Sequence, residues 1–552
     1  MNRTLLLLGL CAAPLAAAEP IQQASEARLW LKVPPGSPPL EQVAVSAGGF
    51  SQADWEKDPE LRRRQLDVQF PIRWWSWASQ TIRFTPAADG AVELILNGPW
   101  AKAPGDGLLR QEILWDDLSA TGATLANGGF EQSSATGPAA WTAPWAPYPA
   151  ADAWPLVGTE AMAGRRLAAT WHNRPLSQQL QVKAGRQVTL QLHAKAATPP
   201  GFVAPKALGS DTPAHRALRG MKRGVNLGNG WEAPPGADWG QHFTTADIDR
   251  IAAQGFDHIR VPVAWHFYLK QGAAGWEISP TLLAELEPVL RRALEKNLTV
   301  MLNWHHFDDF TTAPAAHLDR FVGAWAALAR HFQAWPPGLF FELLNEPMGA
   351  LKGEVLNDAI QRATSAIRTT NPQRMIVVGP GQWNAASELD QLRLPATDER
   401  LIVSIHCYDP FHFTHQGAGW AGFQALRGIT FPGPPAAPVA VPAALRDNAG
   451  VVAFLAAYNT QRAEQNPCSA RGVTTALDTA AAWSRQFGRP VHLGEFGAFD
   501  AADHASRERY LRAVRQLAEA RGIPWTLWEW KALFGYWDPA ANQPRFRAAL
   551  FE

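Results

Sequence analysis

The chain has 552 residues, too many for one ordinary hydrophobic core, so two or three domains are expected. Its 47% hydrophobic and 18% charged residues are those of a globular protein with ample core material, which sets disordered and fibrous classes aside. Fifty basic and fifty acidic residues cancel, which removes the electrostatic case for a nucleic-acid partner.

Residues 1–18 have the form of a secretory signal: Arg3, the apolar run Leu5 to Leu10, then Ala16-Ala17-Ala18 as a small-residue cleavage site before Glu19. The expected location is therefore secreted, extracellular or periplasmic. Leu10 is bulky where a lipid-modified Cys11 would want a small neighbour, which argues against a lipoprotein anchor. No later stretch approaches the roughly 20 apolar residues of a membrane span. Cys407 and Cys468 remain in the mature chain. In an oxidising compartment they could pair across a long loop or stay as two thiols.

From 19 to 198, apart from the charged run Glu56 to Arg64, the sequence is short alternating segments such as Thr81-Ile82-Arg83-Phe84, Ala91 to Leu96 and Gln187 to Leu192. Turn signals at Ala88-Asp89-Gly90, Asn127-Gly128-Gly129 and Ala184-Gly185-Arg186 punctuate them, which is the pattern of an all-β sandwich, one or two in number. The segment Leu125 to Glu131, followed by Leu176 to Val182 and Gly185, resembles the jelly-roll carbohydrate-binding modules that accompany polysaccharide-degrading enzymes. The chain has 25 Trp against 6 Tyr, and flat indoles suit sugar faces. Trp74, Trp75 and Trp77 are the stacking candidates here, with core packing the favoured alternative.

Residues 199–215 are rich in Pro, Ala and Gly and read as a linker. From 216 to 552, eight apolar strands alternate with helical patterns. The strands are Gly224 to Leu227, His258 to Pro262, Thr299 to Asn303, Leu339 to Leu344, Arg374 to Val378, Leu401 to Ile405, Val491 to Leu493 and Pro524 to Trp528. The helices include Asp247 to Gln254, opened by a Thr244-x-x-Asp247 capping box, and Leu282 to Lys296. The expected fold is α/β: a (β/α)8 TIM barrel preceded by an all-β, jelly-roll-like sandwich.

Polar and aromatic residues recur at the carboxyl ends of these strands, where such a barrel keeps its chemistry. They are Asn229 and Trp231, Arg260, Trp304-His305-His306, Asn345-Glu346, Trp383-Asn384, His406 and Tyr408, Glu495, and Trp528 and Trp530. Each alone has a bland reading: a capping glutamate, a satisfied core histidine, a structural ion pair. Eight strands delivering such residues to one face are hard to obtain from packing.

Together Arg260 in Arg-Val-Pro, His305 in Asn-Trp-His-His, Asn345-Glu346-Pro347, His406 and Tyr408 in His-Cys-Tyr, Glu495 in Gly-Glu-Phe-Gly and Trp528 in Leu-Trp-Glu-Trp resemble glycoside hydrolase family 5, within the retaining (β/α)8 glycosidases. The resemblance implies Glu346 as acid/base and Glu495 as nucleophile, with Arg260, His305, Asn345, His406, Tyr408 and Trp528 shaping the subsite of the attacked sugar. It implies a polysaccharide or oligosaccharide substrate of β-1,4-glucan type, cut in the manner of an endoglucanase. The alternatives are a β-mannanase, an exo-acting β-glucosidase or β-1,3-glucanase, and a non-catalytic carbohydrate-binding protein.

Retention needs two carboxyl groups about 5–5.5 Å apart, one protonated and one ionised. Arg260 and Tyr408 are expected to keep Glu495 charged, and that charge with partial burial to keep Glu346 protonated. Trp528 is the expected floor beneath the sugar, with Trp231, Trp304, Trp383 and Trp530 as candidate platforms beyond it. No metal or cofactor is expected, since no step of this mechanism needs one, and His305-His306 is not a zinc pair because adjacent residues in an extended segment point apart. The long segment from Asp409 to about Arg471 starts beside His406 and Tyr408 and is expected to wall neighbouring subsites.

Overall fold

The computed structural model describes residues 24–552 apart from 35–36, 47, 53–63, 101–109, 135–136, 143–155, 158–160, 199–204, 238 and 274. The signal segment 1–18 and nearly all of the charged run from Glu56 lie outside the described residues. The chain divides into two compact units, 1–203 and 204–552.

In the first unit a five-stranded sheet runs in the order Leu176–Val182, Gly90–Asn97, Glu26–Lys32, Gln65–Pro71, Gly49–Gln52. A six-stranded sheet runs Leu156–Val157, Arg166–Thr170, Ile113–Thr121, Val188–Ala196, Ala78–Thr85, Glu41–Val45. The period-2 pattern is carried through: along Val188–Ala196 every second residue is fully or almost fully buried. Phe70 of one sheet meets Trp115 of the other edge-on, centroids 6.1 Å apart, so the two sheets form a single sandwich. Trp74 is buried, and Trp77 packs on Leu114, Leu167 and Ala169. Both therefore serve the core.

The second unit is a closed eight-stranded parallel barrel in sequence order: Arg223–Asn226, His258–Val263, Thr299–Trp304, Leu339–Glu342, Ile376–Val378, Leu401–His406, Val491–Glu495 and Trp525–Leu527. Strand ends differ from the sequence expectation by one or two residues: the fourth leaves the ladder at Glu342, before its apolar run ends, while the second, third, sixth and seventh continue past the expected end toward the rim. Helices Thr245–Gln254, Pro280–Glu295, Pro314–His331, Gly353–Arg368, Arg471–Phe487 and His504–Ala520 accompany them. The Thr244–Asp247 capping box is formed, and Gly255 closes that helix in the left-handed conformation at φ 94°.

Two segments carry more structure than their composition suggests. The stretch expected as a linker to His215 turns into helix Pro213–Arg219, capped by Thr212 with Pro213 in its first turn. Its Ala214 and Leu218, with Met221, pack on Met301, Phe340, Val377 and Ile402 and close the amino-terminal floor of the barrel. The segment after Asp409 contains helix Ala449–Thr460, whose apolar residues surround the axis and so show no 3.6-residue period. Cys407 and Cys468 are both buried and unpaired, so the disulfide alternative is not realised. Among the described residues no helix is long and apolar enough to cross a membrane.

Candidate active site

Arg260, fully buried in the second strand, organises the carboxyl end of the barrel. Its Nε and Nη2 donate to the two oxygens of Glu342 at 2.6 and 2.9 Å, a two-point clamp. Nη1 donates to Asn226 Oδ1 at 2.9 Å and to Glu495 Oε1 at 2.6 Å, and Nη2 also reaches Asn345 Oδ1 at 2.6 Å. With its Oδ1 engaged by Arg260, Asn345 has only its amide NH2 left to donate: one hydrogen serves Glu346, and the other is available to a sugar hydroxyl. Tyr408 donates its hydroxyl to Glu495 Oε2 at 2.8 Å. The nucleophile candidate thus has one donor on each oxygen.

Glu346 ends the segment after the fourth strand with φ 48°, and its side chain is 24% exposed. His406 Nδ1 lies 2.8 Å from Glu346 Oε1, and Asn384 Nδ2 faces His406 Nε2 at 3.3 Å. A donor at Nε2 assigns the ring proton to Nδ1, so His406 donates to Glu346. Left-handed backbone recurs around this rim at Asn229, His306, Gln382, Trp383 and Asn384. Such conformations persist where the surroundings over-determine them, as they do at working sites. One oxygen of Glu346, one of Glu495 and a ring nitrogen of His406 all lie within 4.8 Å of one another.

The sequence profile of cellulase, glycosyl hydrolase family 5, matches residues 217–533. The chain belongs to glycosyl hydrolase family 5. It is 28% identical over 321 residues to Endoglucanase H of Acetivibrio thermocellus, covering 58% of this chain and 31% of that protein. It is 28% identical over 336 residues to Endoglucanase 3 of Fibrobacter succinogenes, covering 58% of this chain and 51% of that protein. The chain thus spans about a third and about half of the length of these two curated relatives. Thermotoga maritima Cel5A with cellobiose superposes with TM-score 0.54 at 28% identity, over 62% of this chain and 100% of that one.

Within this family 5 barrel, burial pushes the Glu346 carboxyl up to about 7, against the pull of Arg260 and the Asn345 hydrogen bond. Burial also raises Glu495, opposed by His406, Arg260 and the Tyr408 hydroxyl. As the two carboxyls are close, a charge on one favours the proton on the other, and the Arg260 cation and Tyr408 hydroxyl on Glu495 decide which keeps it. Burial brings His406 down to about 4, so the ring is neutral between the two acids. Glu346, His406 and Glu495 are, by donor type, the described group that could hold a metal ion. Arg260 already supplies a full positive charge 2.6 Å from Glu495, which disfavours a second cation there.

The other expected residues separate by which way their strand points them. His305 is turned inward, holds Asn303 Oδ1 at 2.8 Å and stacks on Trp528 at 5.6 Å and 12°, supporting that half-buried ring. Trp304, its neighbour, points the opposite way: it is fully buried and stacked on Phe307 at 5.2 Å, so it belongs to the layer between barrel and helices and is no sugar platform. Trp530 is likewise fully buried, stacked on Trp537 at 5.2 Å. Trp231 is nearly buried against Phe243, centroids 5.6 Å apart. Trp383 stands 53% exposed on the rim.

Four site residues escaped the sequence reading: Asn226, Glu342, Glu232 and Glu529. Glu529 is fully buried, takes a hydrogen bond from Asn229 Nδ2 and is held protonated well above the carboxylate range by burial and then by Glu232. Burial pushes Glu232 up to about 7. The available signal was a lone carboxylate inside an apolar run, as in Leu-Phe-Phe-Glu, or directly after a tryptophan, as in Trp231-Glu232 and Trp528-Glu529.

Proposed function

We propose that this chain is an exported, retaining β-glycanase that cleaves internal β-1,4 bonds of a glucan by double displacement. The observation that carries the reading is the pair Glu346 and Glu495, with oxygens within 4.8 Å, the spacing of retaining rather than inverting enzymes. In the first step the Glu495 carboxylate attacks the anomeric carbon while the Glu346 proton passes to the leaving glycosidic oxygen. Arg260 and Tyr408 hold the attacking carboxylate in place. In the second step Glu346, now ionised, takes a proton from water, which attacks the anomeric carbon and releases Glu495. The second amide hydrogen of Asn345, beside the one given to Glu346, supports a bond to the 2-hydroxyl, which strengthens as the oxocarbenium ion develops.

The glucan preference is supported by the endoglucanases among the relatives. A second reading, β-mannan cleavage, is favoured by a structure of Thermotoga maritima Cel5A with mannotriose as substrate, 28% identical to this chain with TM-score 0.53. The test is reducing-sugar release from carboxymethyl-cellulose, barley glucan, xyloglucan and glucomannan, with Glu346→Gln and Glu495→Gln alongside. Release from a glucan that collapses in both variants is expected. Silence on all four, or indifference to either glutamate, would overturn the proposal. Export is tested separately: the secreted product should begin at Glu19.

A further inference from the structure

Four fully buried polar side chains pass through the barrel interior beneath the active site: His258, Thr526, His492 and Ser404. His258 Nδ1 lies 2.6 Å from Asp257 Oδ1, its Nε2 lies 2.8 Å from Thr526 Oγ1, and the same hydroxyl lies 2.7 Å from His492 Nε2. Asp257, at the amino-terminal rim and 31% exposed, also accepts the backbone N–H of Lys222 at 2.8 Å and of Arg223 at 3.2 Å. Gly224 makes room for the column: a Cβ there would stand 2.1 Å from His258 Nε2.

Where each ring carries a single proton, the donors have one order, set by the carboxylate that can only accept. The carboxylate of Asp257 takes the proton of His258 Nδ1. His258 Nε2 is then bare and accepts the Thr526 hydroxyl. Thr526 Oγ1 accepts from His492 Nε2–H, which leaves His492 Nδ1 a bare acceptor. That atom is buried and has no protein partner, and neither has the hydroxyl of Ser404, the residue paired with His492 across the sixth and seventh strands. Buried acceptors and hydroxyls are satisfied in folded proteins, by water where protein offers nothing. Ser404 in turn converges on the active site: a Cβ at Gly494 would lie 2.3 Å from Ser404 Oγ and 2.9 Å from His406 Nε2.

We infer that an ordered water joins His492 Nδ1 to Ser404 Oγ, completing a one-way hydrogen-bonded column from Asp257 to the layer under His406, and that Thr526 and His492 are positioning residues for the Glu346–His406 pair. The water donates to His492 and accepts from Ser404. The column fixes the packing on which His406 rests; burial keeps His492 well below the usual imidazole range. The positioning role rests on the reading of Glu346 as the acid/base. The water and the tautomers do not.

The test has two arms on the full chain. In long-range 1H–15N correlation of histidine-labelled protein at pH 8, with the His492 signals assigned by their loss in His492→Gln, His492 should carry its proton on Nε2. A crystal structure should show water about 2.7–3.2 Å from both His492 Nδ1 and Ser404 Oγ. A proton on Nδ1, an empty site, or Ser404 donating directly to His492 would overturn the column. In the kinetic arm Thr526→Val should lower kcat about tenfold with KM changed less than about twofold, and Thr526→Ser should restore it. An unchanged kcat in Thr526→Val, or a Ser variant as slow as the Val variant, would overturn the positioning role. If wild-type activity ignores Glu346→Gln, the catalytic reading has failed, and the first arm still decides the column.

Discussion

Arg260 places a full charge where no water reaches, and every polar group around it is an acceptor. Removing it strands Glu342 and Glu495 as buried carboxylates. Arg260→Met should therefore cost about 3–5 kcal/mol in urea unfolding, in addition to abolishing activity. Arg260→Lys keeps the charge but loses the clamp on Glu342, so an intermediate loss of both is expected. Glu346 makes a prediction in pH. With its carboxyl at about 7, kcat/KM should fall as pH rises through about 7, roughly tenfold per unit above it. Stability follows the same proton. The folded-state value is raised from 4.5, so the contribution of Glu346 is fully present below 4.5 and is lost as pH rises through about 7. Glu346→Gln should accordingly raise the melting temperature at pH 8 more than at pH 4, and an equal shift at both would contradict the burial argument.

The strand ends are the elements that do the sorting. His305 and Trp304 are neighbours in sequence with opposite fates, because successive side chains on an extended segment face opposite sides. The period of two was available in the sequence, but the phase was not: which neighbour faces the cleft depends on barrel closure. The segment after the sixth strand tells a similar story. Its length and its origin beside Tyr408 marked it, while helix Ala449–Thr460 stayed hidden, since a helix with apolar residues all round gives no amphipathic signal. Trp420 on this segment is 65% exposed and rests edge-on against Phe499, centroids 5.1 Å apart. If the segment walls neighbouring subsites, deleting 436–444 should change the product pattern on oligosaccharides, read by chromatography, while leaving hydrolysis of a short aryl glycoside nearly intact.

At the scale of the whole molecule the chain is two units with separate cores. The sandwich buries its period-2 faces between two sheets, and the barrel closes its own floor with helix Pro213–Arg219. Calorimetry should therefore show two transitions rather than one. A ligand of the barrel, such as a cello-oligosaccharide, should raise only the transition belonging to 204–552. Titration of the 19–205 fragment with polysaccharide decides between a binding module and a spacer: heat of binding would make it the first, a flat titration the second.

The sequence by itself determined the strand and helix rhythm, the β-sandwich followed by an eightfold barrel, and the residues at strand ends that carry the family. It could do so because burial imposes periods of two and 3.6 and because short motifs sit at fixed places on those periods. Tertiary structure alone decided that Trp304 and Trp530 face away from the cleft, that two cysteines stay apart, and that Glu342 completes the cage of Arg260. Those outcomes depend on contacts between residues far apart in the chain, such as Arg260 with Glu495, 235 positions away, and no local pattern encodes them.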